Sequence, residues 1–311
     1  MGANSFVANA AVLPAIRQAP NATLVATASR SGDVPDAWAD TDVGSYEAVL
    51  EHPDVEAVYI PLPNGMHQEW TEKAAAAGKH LLVEKPLASD SATARAMAAT
   101  CTDAGVILAE AWMTPFHHRY VRVLDDAEWG LVGPLEHIDA AFTFTIGPKA
   151  ADNYRWDPDQ GGGALLDVGI YCLGAIVELF GMPTEVRAEH ELTDRGVDAW
   201  TTADMTWPDR RSASIRCSFV DEEVQTLRLV GSTGQVLVTD EAFTGRERAE
   251  SYTVSDKDGD ESYSMTANDS YQSMVEAFAA AVRKEAEWPR PVVRSIEMLQ
   301  LIERIKDAAR D

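Results

Sequence analysis

Short, wholly apolar runs return at regular intervals through the first part of the chain, and they limit the fold more than any other feature. They are "ATLVATAS" (22–29), "VEAVYIPL" (55–62), "KHLLVE" (79–84) and "GVILAEA" (105–111). Runs of this length without polar alternation suit strands buried on both faces of a sheet. The stretches between them, 43–52, 66–78 and 89–104, carry helical spacing. The last opens with Ser89 and Asp90, whose side-chain oxygens can accept the first free N–H groups of a helix. Strand–helix alternation with short connections predicts a parallel, doubly wound sheet of Rossmann type.

Such a sheet has a central first strand followed by a glycine-rich turn, where helix N-terminal N–H groups hold a pyrophosphate. Gly2 stands where that turn begins, with Ala3, Ser5 and Phe6 as its remaining backbone candidates, and "VANAAVLPAIRQ" (7–18) reads as the helix behind it. Asn4 and Val7 occupy the places of the later glycines, and no strand precedes Gly2. The first strand is therefore expected to be missing, through a late start or a real truncation. Losing a strand buried on both faces costs about several kcal/mol, so a genuine truncation predicts weak cofactor binding. After the next strand, Ser29 and Arg30 stand where an acid would bond the ribose hydroxyls of NAD. A hydroxyl and a guanidinium suit a 2′-phosphate instead, which points to NADP, with NAD the alternative.

Beyond about residue 130 the pattern changes. "LEHIDAAFTFTI" (135–146) is strand-like, a helix runs from the glycines at 161–163 to about 180, and alternating segments follow. These predict a large, mostly antiparallel sheet with one open face. Two helices close the chain, separated by Pro289 and Pro291. The expected division is a dinucleotide-binding domain over 1–120 and an α+β substrate-binding and oligomerisation domain over 121–311, the last helix packing back on the first domain.

Fifty acids against 26 bases give a formal charge of −24, which repels nucleic acid and anionic membrane surfaces. Neither a secretory signal nor an apolar run long enough to span a bilayer is apparent. Cys101, Cys172 and Cys217 are isolated and fit a reducing cytoplasm. The acidic, lysine-poor composition suits a salt-adapted protein and, equally, an ordinary acidic one. His117 and His118 lack metal-ligand spacing, and no metal site is expected.

"GGGALLDVGIY" (161–171) is not explained by packing alone, since the glycines, Asp167 and Tyr171 add nothing to an apolar core. Together with "YIPLPNGMH" (59–67), "LLVEKPLA" (81–88), "LAEAWMTPFHHR" (108–119), "GSTGQVLV" (231–238) and "YQSMVEAFAAAVR" (271–283), it resembles the glucose–fructose oxidoreductase / inositol dehydrogenase (Gfo/Idh/MocA) family in order and spacing. Tyr at 171, where many relatives carry His, is similar to the branch of dihydrodiol and xylose dehydrogenases. Thr114-Pro115 departs from the Tyr-Arg often found in that branch.

The resemblance implies hydride transfer between a nicotinamide and the carbinol of a sugar, cyclitol or cyclic diol, with Lys85, Asp167 and Tyr171 as catalytic residues. A phenol ionises near pH ~10 when unperturbed, too high for an efficient base, and an ammonium nearby lowers that value. Lys85 would thus activate Tyr171, and Asp167 would orient substrate hydroxyls. Pro63, Asn64, Glu84 and Lys85 would lie along the nicotinamide ribose, His67 would support them, and the Lys85–Pro86 peptide would be cis. Arg155 and Trp156 read as surface loop with the pocket rim as the other option, and a homodimer or homotetramer through the second sheet is implied. The alternatives are a non-catalytic, dinucleotide-binding regulator of the same fold and an inactive truncated enzyme.

Overall fold

A computed structural model describes residues 1–147, 153–246 and 248–310. The chain divides into two units. The first comprises Met1–Met113 and Asp269–Ile296, the second Thr114–Asn268 and Glu297–Asp311.

The first unit opens with the Gly2–Ser5 turn and a helix whose first part, Ala8–Val12, is a π-turn continuing into α1 (Leu13–Gln18). Strand β1 (Ala26–Ala28) pairs in parallel with β2 (Asp42–Gly44), and α2 (Tyr46–Glu51) follows, its N-terminus capped by Ser45. Strands β3 (Ala57–Ile60), β4 (His80–Glu84) and β5 (Leu108–Ala111) form a separate parallel sheet with α3 (His67–Ala76) and α4 (Ser91–Asp103) between them. Asp90 caps α4 by accepting the N–H of Thr93. The parallel strand–helix alternation is as predicted. The predicted helix over 43–52 is shorter than expected, because its first residues pair with β1 as β2.

Between β1 and β3 lies an apolar cavity of about 330 Å³, lined by Leu24, Ala26, Val58, Leu13, Phe278 and Val282 among others. The edges of β1 and β3 away from β2 and β4 pair with no strand among the described residues.

The second unit is built on one eight-stranded sheet. In chain order it holds α5 (His118–Glu128), β6 (Leu135–Thr145), a helix that is a π-turn over Leu165–Gly169 and α6 over Ile170–Phe180, then β7 (Glu185–Leu192), β8 (Asp198–Thr206), β9 (Ser212–Ser218), β10 (Val220–Gly231), β11 (Gly234–Val238), β12 (Glu250–Asp256) and β13 (Gly259–Met265). The order is β13-β12-β11-β10-β6-β9-β8-β7, antiparallel except for the parallel β6–β9 pair. The α6 helix covers β6 and β9. The stretch Pro158–Phe180 is long and apolar enough to cross a membrane, and 89% of its apolar window is buried in the fold. Two helices end the chain: α7 (Ser270–Val282) in the first unit and α8 (Val292–Ala308), which contributes to both units.

Candidate active site

The Gly2 turn joins the ends of the first unit's two sheets. The Ala3 N–H donates to the Ala28 carbonyl at the end of β1. Gly2 is left-handed (φ 70°), and a Cβ there would meet Leu62 Cδ2 at 3.1 Å and the Pro61 carbonyl at 3.2 Å, so this position tolerates a side chain poorly. The Asn9 amide locks the turn, donating to the carbonyls of Ala3 (2.5 Å) and Ser5 (2.9 Å) while its oxygen accepts from Trp38 Nε1. Phe6 is exposed at the start of the helix. Ser29 is buried and its hydroxyl donates to the Asp33 carbonyl, whereas Arg30 is exposed at the end of β1.

The Glu84-Lys85-Pro86 turn ends β4, and its Lys85–Pro86 peptide is cis, as the resemblance implied. Two buried carboxylates fix it. Glu84 accepts from Tyr59 Oη (2.5 Å) and from the Lys85 N–H (3.2 Å). Glu110 accepts from the Leu87 N–H (2.9 Å), Arg290 Nη1 (2.7 Å) and the Ser295 hydroxyl (2.7 Å). Burial pushes the Glu84 carboxyl up to about 7, against the opposing pull of Tyr59 and Lys85. His67 is fully buried, with Nδ1 facing the carbonyls of Pro86 and Leu87 and Nε2 that of Leu62. Each ring nitrogen thus faces a carbonyl, and only a nitrogen that carries a proton can donate to it; burial lowers the imidazole's pKa, while the three carbonyls pull the other way. The ring ties the cis-proline turn to the loop carrying Pro63 and Asn64, whose 3-10 turn spans Asn64–Met66. That tie leaves neither nitrogen turned toward a ligand.

The three glycines of the second unit have steric reasons. Gly161 and Gly163 are left-handed (φ 70° and 111°). A Cβ on Gly162 would sit 2.5 Å from the Arg155 carbonyl, and one on Gly163 would sit 2.2 Å from Asp198 Oδ1. The loop before the helix must therefore fold tightly over its own backbone, and the Gly162 and Gly163 N–H groups donate to the Asp157 and Arg155 carbonyls. Asp198 of β8 then accepts the Leu165 N–H at 2.7 Å, capping the helix from a distant strand.

Asp167 lies in the π-turn, where i→i+5 bonding widens the helix, so its four-residue spacing to Tyr171 is not that of a regular α-helix. Both side chains are buried. The Tyr171 ring packs against Phe142 (centroids 5.3 Å apart) and Phe243 (6.3 Å). Asp167 Oδ2 accepts from Arg155 Nε at 2.6 Å. Arg155, expected on the surface, is instead an ion-pair partner of a proposed catalytic carboxylate. Asn9, Glu110, Arg290 and Asp198 were not foreseen at all. Among the described residues no group of three or more His, Cys, Asp or Glu has metal-holding geometry.

Residues 2–111 match the family described as "Oxidoreductase family, NAD-binding Rossmann fold", and residues 121–237 match the GFO/IDH/MocA C-terminal domain. The D-xylose 1-dehydrogenase (NADP(+)) 2 of Haloferax volcanii is 36% identical over 308 residues, 96% of this chain and 93% of that protein. The dTDP-3,4-didehydro-2,6-dideoxy-alpha-D-glucose 3-reductase of Streptomyces violaceoruber is 37% identical over 285 residues, 88% of this chain and 81% of that protein. The crystal structure of KijD10, a 3-ketoreductase from Actinomadura kijaniata in complex with NADP and TDP-benzene, superimposes with a TM-score of 0.89 at 29% identity, covering 99% of this chain and 95% of that one. The chain belongs to the GFO/IDH/MocA family of oxidoreductases.

Proposed function

We infer that this chain is an NADP-dependent oxidoreductase that moves a hydride between nicotinamide and a carbinol or keto carbon of a sugar or a related cyclic polyol. The observation that carries the reading is a single helix start holding a phenol packed among aromatic rings and a carboxylate four residues before it. Family membership and NADP-linked sugar relatives support it. In this reading the residues up to about 120 hold the nucleotide and the remainder bind substrate.

The first unit's residues fit the cofactor. A left-handed glycine with little room for a Cβ, followed by a helix N-terminus, is the cradle that a pyrophosphate needs. Ala3, Ser5 and Phe6 offer backbone there, exposed Arg30 suits a 2′-phosphate beside Ser29, and the loop at Pro63 and Asn64, with Glu84 and Lys85, would flank the nicotinamide ribose. Bound NADP supplies the hydride acceptor, or in its reduced form the donor. Tyr171 Oη takes the hydroxyl proton in the oxidative direction and returns it in the reductive one, Lys85 favours the phenolate by charge, and Asp167 accepts hydrogen bonds from substrate hydroxyls. Glu84 acts behind Lys85 by fixing the backbone that carries it.

The finer features of the reading rest on composition and surface. A charge of −24 suits a cytoplasmic protein working at high salt. Leu192, Val220 and Val224 leave apolar side chains exposed on the second unit's sheet, which supports a homo-oligomer formed there. The deciding experiment follows the reduced-nicotinamide absorbance with NADP and pooled aldoses at high salt. Turnover by the intact chain, lost in Lys85→Met, fits the reading. Binding of NADP without turnover of any aldose, polyol or keto sugar contradicts it.

A further inference from the structure

Arg155 is placed with more care than a loop residue requires. Its N–H donates to the Asn153 side chain (3.0 Å), and its carbonyl accepts the Gly163 N–H (2.9 Å). Gly162 is kept glycine by that same carbonyl, since a Cβ would lie 2.5 Å from it. The guanidinium stacks over the Tyr154 ring (4.8 Å to the centroid), is flanked by Phe144 (5.9 Å), and donates from Nε to Asp167 Oδ2 at 2.6 Å. Backbone, aromatic face and ion pair therefore hold one side chain in one place. An exposed arginine tethered only by an ion pair would gain little from this, because such pairs contribute about 0–1 kcal/mol. Here the guanidinium is about three-quarters sheltered, with 28% of its side-chain surface exposed, and Asp167 only 11%.

We propose that Arg155 is a positioning and specificity residue of the second unit: it holds the Asp167 carboxylate oriented toward substrate hydroxyls and adds a positive charge beside Tyr171. The triple glycine then has a purpose beyond starting a helix, because it brings the loop bearing Arg155 back over Asp167. Burial works against charge on Arg155, but Asp167, Tyr154 and, least, Tyr171 outweigh it, so the guanidinium is held charged more firmly than usual. The chemistry recognised is a vicinal diol or hydroxy-ketone, in which one oxygen meets the phenol and its neighbour meets the carboxylate. This deepens the function proposed above and rests on it.

The test uses the full chain and the variants Arg155→Gln and Arg155→Lys, with Tyr171→Phe as reference. Two readouts are followed: the split between KM and kcat for the turned-over sugar, and the phenolate absorbance that the Tyr171→Phe chain lacks. Arg155→Gln should raise KM about tenfold or more, since a charge-assisted contact is lost, with a smaller fall in kcat. It should also move the Tyr171 titration upward, and Arg155→Lys should restore that titration in part while KM stays high, because an ammonium supplies charge without the planar fork. Unchanged KM and an unchanged Tyr171 titration in Arg155→Gln would overturn the proposal. Should no sugar be turned over by any variant, the oxidoreductase reading fails by itself, and the phenolate titration still decides whether Arg155 acts on Tyr171.

Discussion

In the second unit eight strands hydrogen-bond without interruption from β13 to β7, whereas in the first a cavity of about 330 Å³ separates β1 and β2 from β3, β4 and β5. Both units carry helices and apolar cores. Only the second unit's sheet is hydrogen-bonded without a break from edge to edge. The difference separates two sources of rigidity. Asp167 and Tyr171, proposed to face substrate, are held by a continuous sheet, a distant cap from Asp198 and a ring cluster. The residues proposed to face the nucleotide are held by polar locks, Asn9 on the Gly2 turn and Glu84, Glu110 and His67 around the cis-proline turn. Polar locks fix these residues at individual points, beside an apolar cavity next to β1.

The largest expected effect is in hydrogen exchange. Amides of β6, β9 and β10 should exchange at least ~10³-fold more slowly than those of β1 and β2, because the short β1–β2 ladder opens locally while the eight-stranded sheet opens only with its unit. Equal protection in the two sheets would break the comparison.

Next in size is Gly163→Ala. Its Cβ would fall 2.2 Å from Asp198 Oδ1 at a φ of 111°, so the helix cap must move. A loss of about 3 kcal/mol in denaturant unfolding is expected, with the nucleotide-side turn unaffected. A loss under ~1 kcal/mol would mean that the loop relaxes freely.

Glu84→Gln sharpens the first unit's side of the comparison. Burial raises the Glu84 carboxyl from 4.5 to about 7. Between those pH values the unfolded carboxyl ionises while the folded one stays protonated, so this group lowers stability as pH rises through the window and adds no further change above it. Glu84→Gln should remove about 2 kcal/mol of the fall between pH 5 and pH 8 seen in the parent chain. Parallel pH profiles for the two proteins would contradict the burial argument.

The smallest effect comes from filling the cavity. Adding a short Val- and Ile-rich segment ahead of Met1 should raise stability by only ~1–3 kcal/mol, because burying apolar surface and bonding two strand edges is largely offset by ordering the added residues. Tighter NADP binding should accompany it, as the Gly2 turn would then be anchored from both sides. No change in either quantity would mean that the cavity does not receive a strand.

The features legible in the sequence were those with a local pattern. Apolar runs marked β3, β4 and β5, Asp90 marked the start of α4, and the glycines at 161–163 marked a helix start with unusual geometry. Strand β2 was missed because its three residues, Asp42–Gly44, are mostly exposed and carry no apolar run. The β12–β13 hairpin, joined by the two-residue turn Lys257-Asp258, was also unforeseen, since that turn lacks the glycine that usually marks one. The polar locks were hidden for another reason. Arg290 and Glu110 lie 180 residues apart, and Asp198 and Leu165 lie 33 apart, so no periodicity links them. Arg155 gave no sign of its ion pair, since an arginine before a turn reads as solvated loop until the fold returns that loop to Asp167.

The central claim is that the Tyr171 phenol exchanges the proton of a carbinol whose hydride passes to nicotinamide. It is tested most directly by steady-state reduction of NADP with the preferred aldose, comparing the parent chain with Tyr171→Phe, which keeps the ring against Phe142 and removes only the hydroxyl. The account predicts a fall in kcat of about 10²–10⁴-fold with intact NADP binding. A Tyr171→Phe chain that turns over at the parent rate would contradict it.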